Sequence, residues 1–274
     1  MTTETNGEFR TDLNVRHEGR RANEAPTLFL LHGLTDSREG WGPAVAHWGQ
    51  SYSIVAVDQR GHGESPRFTD EQLAGHPGDL LVDDAIGLLE QLGEAPVVVG
   101  HSLGGAVALV AAVRRPDLVR GVVLEDPAPL GPGEQLRDAA RGREYADSLG
   151  ESIAATNDQE LVEARRRKHP TWREDELLAT GRAEQQTDRR FLEHGEWKPT
   201  TPWPKLFEEL IVPVLVLSGD AMDEVCVDDT LEKGIAESGN ENLVLVRIRS
   251  AGHCIRREQP ERFFEAVDAW LATH

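Results

Sequence analysis

The stretch that most restricts what this chain can fold into lies between residues 96 and 113. An apolar run at 96–99 enters Gly100-His101-Ser102-Leu103-Gly104, with Gly105 following, and a segment rich in alanine and valine leaves it at 103–113. Physically this is a buried strand, a tight turn and a helix. A serine at such a turn takes a strained backbone, and small neighbours let the backbones close in. The hydroxyl is then held clear of the sheet above a helix N-terminus. The five residues G-x-S-x-G recur by chance in glycine-rich turns. The strand before and the helix after are the context that makes them a nucleophile elbow.

Other apolar runs repeat the strand pattern and end in polar turns. Residues 27–31 run into His32-Gly33-Leu34-Thr35, and 53–57 run into Asp58-Gln59-Arg60-Gly61-His62-Gly63-Glu64-Ser65. Residues 121–124 end in Glu125-Asp126-Pro127, and 212–217 and 243–248 complete the set. Runs apolar at every position belong to strands buried on both faces. Between them, 42–49 reads as a short helix, and Leu81, Ala85, Leu88, Leu89 and Leu92 recur at helical spacing with Gly93 as a stop. Phe263, Phe264, Val267, Trp270 and Leu271 give the last helix an apolar stripe. Strand and helix alternate, which predicts an α/β fold with a mostly parallel sheet, and residues 9–16 suit an edge strand. From 129 to 204 the β-branched runs stop and charges dominate, with helical segments at 161–168 and 174–187. The expected organisation is therefore a core at 1–128, a helical insertion at 129–204 covering one end of the sheet, and the rest of the core at 205–274.

Composition narrows the function classes. Of the 274 residues, 39% are hydrophobic, and no apolar run approaches the roughly 18 needed to span a bilayer. Residues 1–10 are polar, without the apolar core of a secretory signal, so a cytoplasmic protein is expected. A net charge of -19 disfavours nucleic acid and anionic membranes as partners. Two cysteines, Cys226 and Cys254, cannot build a disulfide framework, and no C-x-x-C or H-E-x-x-H metal spacing occurs. The expected partner is a small molecule, and oligomeric state is not legible.

A serine hydroxyl needs a base within hydrogen-bond reach and a third group to orient that base. Of the ten histidines, His253 follows a late strand and precedes the final helix, the place from which a base reaches the elbow. His101 sits inside the elbow and is given a packing role; His62, between two glycines, holds a loop. Acyl transfer also needs donors for the developing oxyanion. Leu103 offers its backbone NH at the start of the elbow helix, and Leu34 offers a second after His32-Gly33.

These segments, in this order, resemble the α/β-hydrolase fold family, over roughly residues 25–127 and 204–274; Val214-Leu215-Val216-Leu217-Ser218-Gly219-Asp220 and Ala251-Gly252-His253 complete the match. The resemblance implies an eight-stranded, mostly parallel sheet flanked by helices, a helical cap, and no metal or organic cofactor. It implies a hydrolase that cleaves a carboxylic ester or lactone through an acyl-serine, with Ser102 as nucleophile and His253 as base. For the acid, the family's usual slot three residues beyond Gly219 is Met222, flanked by Asp220 and Asp223; some relatives draw it from an earlier strand end, where this chain has Asp126. Asp126 is preferred, with Asp220 and Asp223 as alternatives. Carbon-carbon bond hydrolysis and cofactor-free perhydrolysis use the same triad, and a small-molecule receptor with an idle triad is the reading from another class. Trp172, Phe191, Trp197 and Trp203 are candidates to line an acyl pocket.

Overall fold

Six apolar runs of this chain become the parallel strands of one sheet in the computed structural model, which describes residues 9–221 and 225–274. The strands are β1 (Val15–Gly19), β2 (Thr27–Leu31), β3 (Ser53–Val57), β4 (Val97–His101), β5 (Gly121–Glu125), β6 (Val214–Gly219) and β7 (Leu243–Ile248). Their order is β1-β3-β2-β4-β5-β6-β7, with only β1 antiparallel, Val15 facing Val57. Every residue of β2 to β6 is buried, as expected of strands covered on both faces.

Side chains alternate between the faces with a period of two. Phe29, Leu31, Val55, Val57, Val98 and Val122 enter one apolar cluster. Their neighbours Leu28, Leu30, Ile54, Ala56, Val97 and Val123 enter another. The helices that cover these faces, in chain order, begin with α1 (Gly42–Trp48), α2 (Asp70–Ala74), α3 (Pro77–Leu89) and α4 (Leu103–Arg114). Between β5 and β6 come α5 (Ala139–Ser148), α6 (Gly150–Ala154), α7 (Asp158–Lys168), α8 (Glu174–Gln185), α9 (Arg189–His194) and α10 (Trp203–Glu209). The chain closes with α11 (Asp229–Ser238), α12 (Ile255–Glu258) and α13 (Pro260–Leu271). Val107 of α4 and Leu81 of α3 join the first cluster; Trp41, Trp48, Phe263 and Trp270 join the second.

The chain lays β3 on one side of β2 and then crosses to place β4 on the other. Such a reversal opens a crevice beyond the carboxyl ends of the strands, where ligands bind in open parallel sheets. The turns after β2 and β4 flank that crevice. They carry Leu34 and Ser102.

The sheet of the described residues has seven strands, not eight. Six parallel runs and one edge are all that the apolar pattern writes; the eighth was implied by resemblance alone. The edge strand also lies later than the expected 9–16, because the pairing partner it needs, Ser53–Val57, meets Val15–Gly19. The helix of the 81–92 pattern ends at Leu89, short of Gly93, and the 174–187 helix ends at Gln185.

Candidate active site

Ser102 has φ 52° and ψ -115°, in the region that non-glycine residues avoid. Its backbone is held from three sides: its NH donates to the Glu125 carbonyl at 3.0 Å, and its own carbonyl accepts from Ala106 and Ala128. The glycines around it permit this. A Cβ on Gly100 would stand 2.4 Å from the Gly104 carbonyl oxygen, and one on Gly104 would stand 2.3 Å from the carbonyl oxygen of Leu31. Four non-glycine residues among those described have positive φ: Thr35, Ser102, Asp126 and Ser250. Each lies just past the end of a strand on the crevice side, where strain of about 1–3 kcal/mol per residue is characteristic of functional turns.

Asp126 follows β5 and is completely buried. One carboxylate oxygen accepts from the Cys226 NH at 2.7 Å; the other accepts from the Val227 NH and the Ser218 hydroxyl, both at 3.1 Å. Against this carboxylate, 2.6 Å away, stands Nδ1 of His253. A carboxylate only accepts, so Nδ1 carries a hydrogen, and in the neutral ring Nε2 keeps its lone pair. Burial opposes the charged ring, but the bond to Asp126 and the neighbouring Cys226 and Cys254 outweigh it and hold the His253 pKa well above its ordinary value. The side-chain atoms of Asp126, Cys226 and His253 lie within 4.8 Å of one another, close enough to suggest a metal cage. Both Asp126 oxygens are already committed to these hydrogen bonds, which fits an ion pair better than a ligand set.

Asp220 is engaged elsewhere. Its carboxylate accepts the Ser250 NH at 2.7 Å and so fastens the turn before His253. Asp223 lies outside the described residues. His101 is buried, and its Nε2 donates to the His253 carbonyl at 3.1 Å, with the two rings 4.8 Å apart. Burial, with Arg256 nearby, keeps its pKa well below the usual value, so it is a neutral prop for the His253 turn. His62, whose pKa burial pulls down to about 3, donates from Nδ1 to the Arg60 carbonyl and stiffens its own loop.

Behind the two turns runs a buried charge network that motif reading missed. Glu125 accepts from Arg256 at 2.6 Å, Arg256 also reaches Asp36 at 3.0 Å, and Arg257 reaches the same Asp36 oxygen at 2.9 Å. Arg256 lies over the Trp41 ring and Arg257 over Trp172. The signal was present in Arg256-Arg257 shortly after Cys254, but two arginines in sequence do not say which carboxylates they meet.

Ser102, Leu103, Leu34 and His253 all border one cavity of about 370 Å³. Trp172 and Trp197 help line it, as expected. Phe191 and Trp203 do not: Phe191 is fully buried against Phe68, 4.6 Å between ring centres, and Trp203 packs on Phe207 and over Gly234. Aromatic side chains in this helical segment divide between lining the hollow and fastening the helices. A larger hollow of about 450 Å³, bordered by Ser37, Glu39, Asp175 and Arg182, contains neither Ser102 nor His253.

Residues 28–266 match the family model described as "Alpha/beta hydrolase family". The chain is similar to 2-(acetamidomethylene)succinate hydrolase of Mesorhizobium japonicum, 36% identical over 148 residues that span 53% of this chain and 50% of that protein. It is similar over more of its length to (E)-2-((N-methylformamido)methylene)succinate hydrolase of Acinetobacter baylyi, at 25% identity over 91% of this chain and 92% of the other. Among solved structures, the crystal structure of E-2-(acetamidomethylene)succinate hydrolase superimposes with a TM-score of 0.76 at 21% identity, covering 95% of each chain. With the matched stretch running from β2 into the final helix, the chain belongs to the alpha/beta hydrolase family.

Proposed function

We propose that this protein hydrolyses a carboxylic ester or lactone through an acyl-serine intermediate, with Ser102 as nucleophile, His253 as general base and Asp126 as the acid that orients it. The observation that carries this reading is the pairing of buried Asp126 with His253, whose ring borders the same cavity as Ser102. Nδ1 is occupied by Asp126, so Nε2 is the nitrogen available to take the Ser102 proton as the hydroxyl attacks. The alkoxide that develops on the carbonyl is received by the backbone NH groups of Leu103 and Leu34, each such donor worth on the order of 3 kcal/mol in the transition state. Collapse expels the alcohol, which takes the proton from His253. Water then attacks the acyl group with His253 again as base. No step calls on a metal or an organic cofactor.

Residues 129–204 act in this reading as a cap. The backbone of Asp188, between α8 and α9, donates to the Gly61 carbonyl at 2.6 Å, and its carboxylate accepts from the Phe68 NH, so that segment is clasped to the loops after β3. The substrate is a small molecule. No helix of the described residues is long and apolar enough to cross a membrane, and the two free thiols suit the reducing cytoplasm.

The test is Ser102→Ala. Hydrolysis of small aryl esters is expected to fall by roughly 10⁵-fold or more, and a fluorophosphonate that labels the native protein at Ser102 leaves the variant unlabelled. Undiminished turnover in the variant removes the reading.

A further inference from the structure

The cavity wall carries a charge that the proposed acyl chemistry does not use. In a chain of net charge -19, the side chains bordering this hollow include Arg141, Arg165, Lys198 and Arg257 against the two carboxylates Asp36 and Glu184. Three of these cations are matched: Arg165 pairs with Glu184 at 2.8 Å, Arg257 with Asp36 at 2.9 Å, and Lys198 with Glu134 at 2.7 Å. The guanidinium of Arg141 has no ion pair or hydrogen bond to any described residue. On the same cavity lining, Nε of Arg165 and Nε of Arg257 are both buried without a hydrogen-bond partner, on side chains only 7% and 2% exposed. The neighbouring His169 reports the same positive field: burial first, then Arg165, Arg257 and Lys168, pull its pKa down to about 4.

Arg141 is aimed as well as unpaired. It lies in the first turn of α5, where the Asp138 carboxylate accepts its backbone NH and caps the helix. One turn later on the same face comes Tyr145, which also lines the cavity and whose hydroxyl lies 3.2 Å from the Thr35 hydroxyl. Thr35 is the residue after Leu34, the proposed oxyanion donor. The helix therefore sets Arg141 one turn from Tyr145, the residue that meets the turn carrying Leu34.

We propose that the substrate is an anionic ester or lactone, carrying a carboxylate a few bonds from the carbonyl that Ser102 attacks, and that Arg141 binds this carboxylate. The proposal rests on the acyl-serine reading and adds the substrate class. A guanidinium fork matches a carboxylate bidentately and cannot lose its charge. In an acidic protein, an exposed arginine that faces the cavity without a counter-ion attracts an anionic ligand and gives a neutral analogue of the same shape no such gain.

The experiment compares monomethyl succinate with methyl levulinate, which replaces the carboxylate by a methyl ketone on the same chain. Native protein is expected to prefer the anionic ester by roughly 10- to 100-fold in kcat/KM, the range of one charge-assisted hydrogen-bonded pair. Arg141→Ala is expected to collapse that ratio towards one, and Arg141→Lys to retain part of it. The ratio cancels any loss common to both esters, such as a disturbed α5. No turnover of the anionic ester, no preference in the native protein, or a preference that survives Arg141→Ala each overturn the proposal. Fluorophosphonate labelling of Ser102 is read in parallel. If labelling persists while the preference is missing, the substrate class falls and the acyl-serine reading stands; if labelling also fails, the reading beneath it falls.

Discussion

The rim of the sheet and the helical segment between β5 and β6 face the same cavity, yet they hold their charges in opposite ways. At the rim, Glu125, Asp126, Asp36, Arg256 and Arg257 are buried, and each is held by at least one hydrogen bond or ion pair. In the helical segment most ion pairs lie on the surface, as in Arg166–Glu174, Arg167–Glu151 and Arg182–Asp158. A buried ion pair fixes geometry because breaking it strands a charge, whereas an exposed pair adds little and can be exchanged. The rim is thus built to keep a few atoms in place, and the helical segment is free to vary what it presents to a ligand.

The sharpest way to break that contrast is at Asp126. Asp126→Asn removes the acceptor that fixes the His253 tautomer, and the expected loss in kcat/KM is on the order of 10³- to 10⁴-fold. Asp220→Asn, which touches only the Ser250 turn, is expected to cost far less. The pH profile supplies the sign. In the proposed mechanism His253 works as a base only when neutral, and its pKa is raised, so the ascending limb of kcat/KM in the native protein is expected above the ordinary histidine value of 6.5. Without the Asp126 charge that limb moves to lower pH in whatever activity remains. If Asp220→Asn is the more damaging variant, Asp126 is not the acid.

The same contrast explains what the sequence could convey. The fold and the rim are legible because each depends on a local rule: strands buried on both faces must be apolar throughout, and a strained turn needs glycine where backbones touch. Gly100 and Gly104 are readable for that reason. Asp126 stood in the sequence as one of three carboxylates; its position against His253 depends on the β5–β6 pairing, a long-range contact. The roles of Trp172 and Phe191 were beyond reach. Both are aromatic residues in charged helical surroundings, and only tertiary packing decides that one lines the cavity while the other buries itself against Phe68. The Glu125–Arg256 pair joins residues 131 apart, with no spacing rule to announce it.

A second break lies at that pair. Glu125→Gln keeps the shape but leaves the buried Arg256 guanidinium short of one counter-charge, though Asp36 remains. The expected loss of stability is about 3 kcal/mol, the lower end for uncoupling a buried ion pair. It is read as a lower urea midpoint, with little change in the slope of the transition. Activity is expected to fall as well, because the Glu125 carbonyl anchors the Ser102 NH and the Arg256 turn follows His253. A midpoint equal to that of the native protein would mean that apolar packing alone secures the rim.

The smallest effect sharpens the comparison from the other side. Arg182 of α8 donates to Asp158 of α7 with both side chains more than half exposed, and neither group borders the cavity that holds Ser102. In water the attraction is largely offset by hydration and by the entropy of holding two mobile side chains together. Arg182→Ala is therefore expected to shift the urea midpoint by less than about 1 kcal/mol equivalent and to leave ester turnover within about twofold. Arg165→Ala, in the same pair of helices, strands the buried Glu184 and is expected to cost several times more. A large effect at Arg182 would mean that the helical segment, too, is held by fixed charges. The division between a rigid rim and an exchangeable cover would then be wrong.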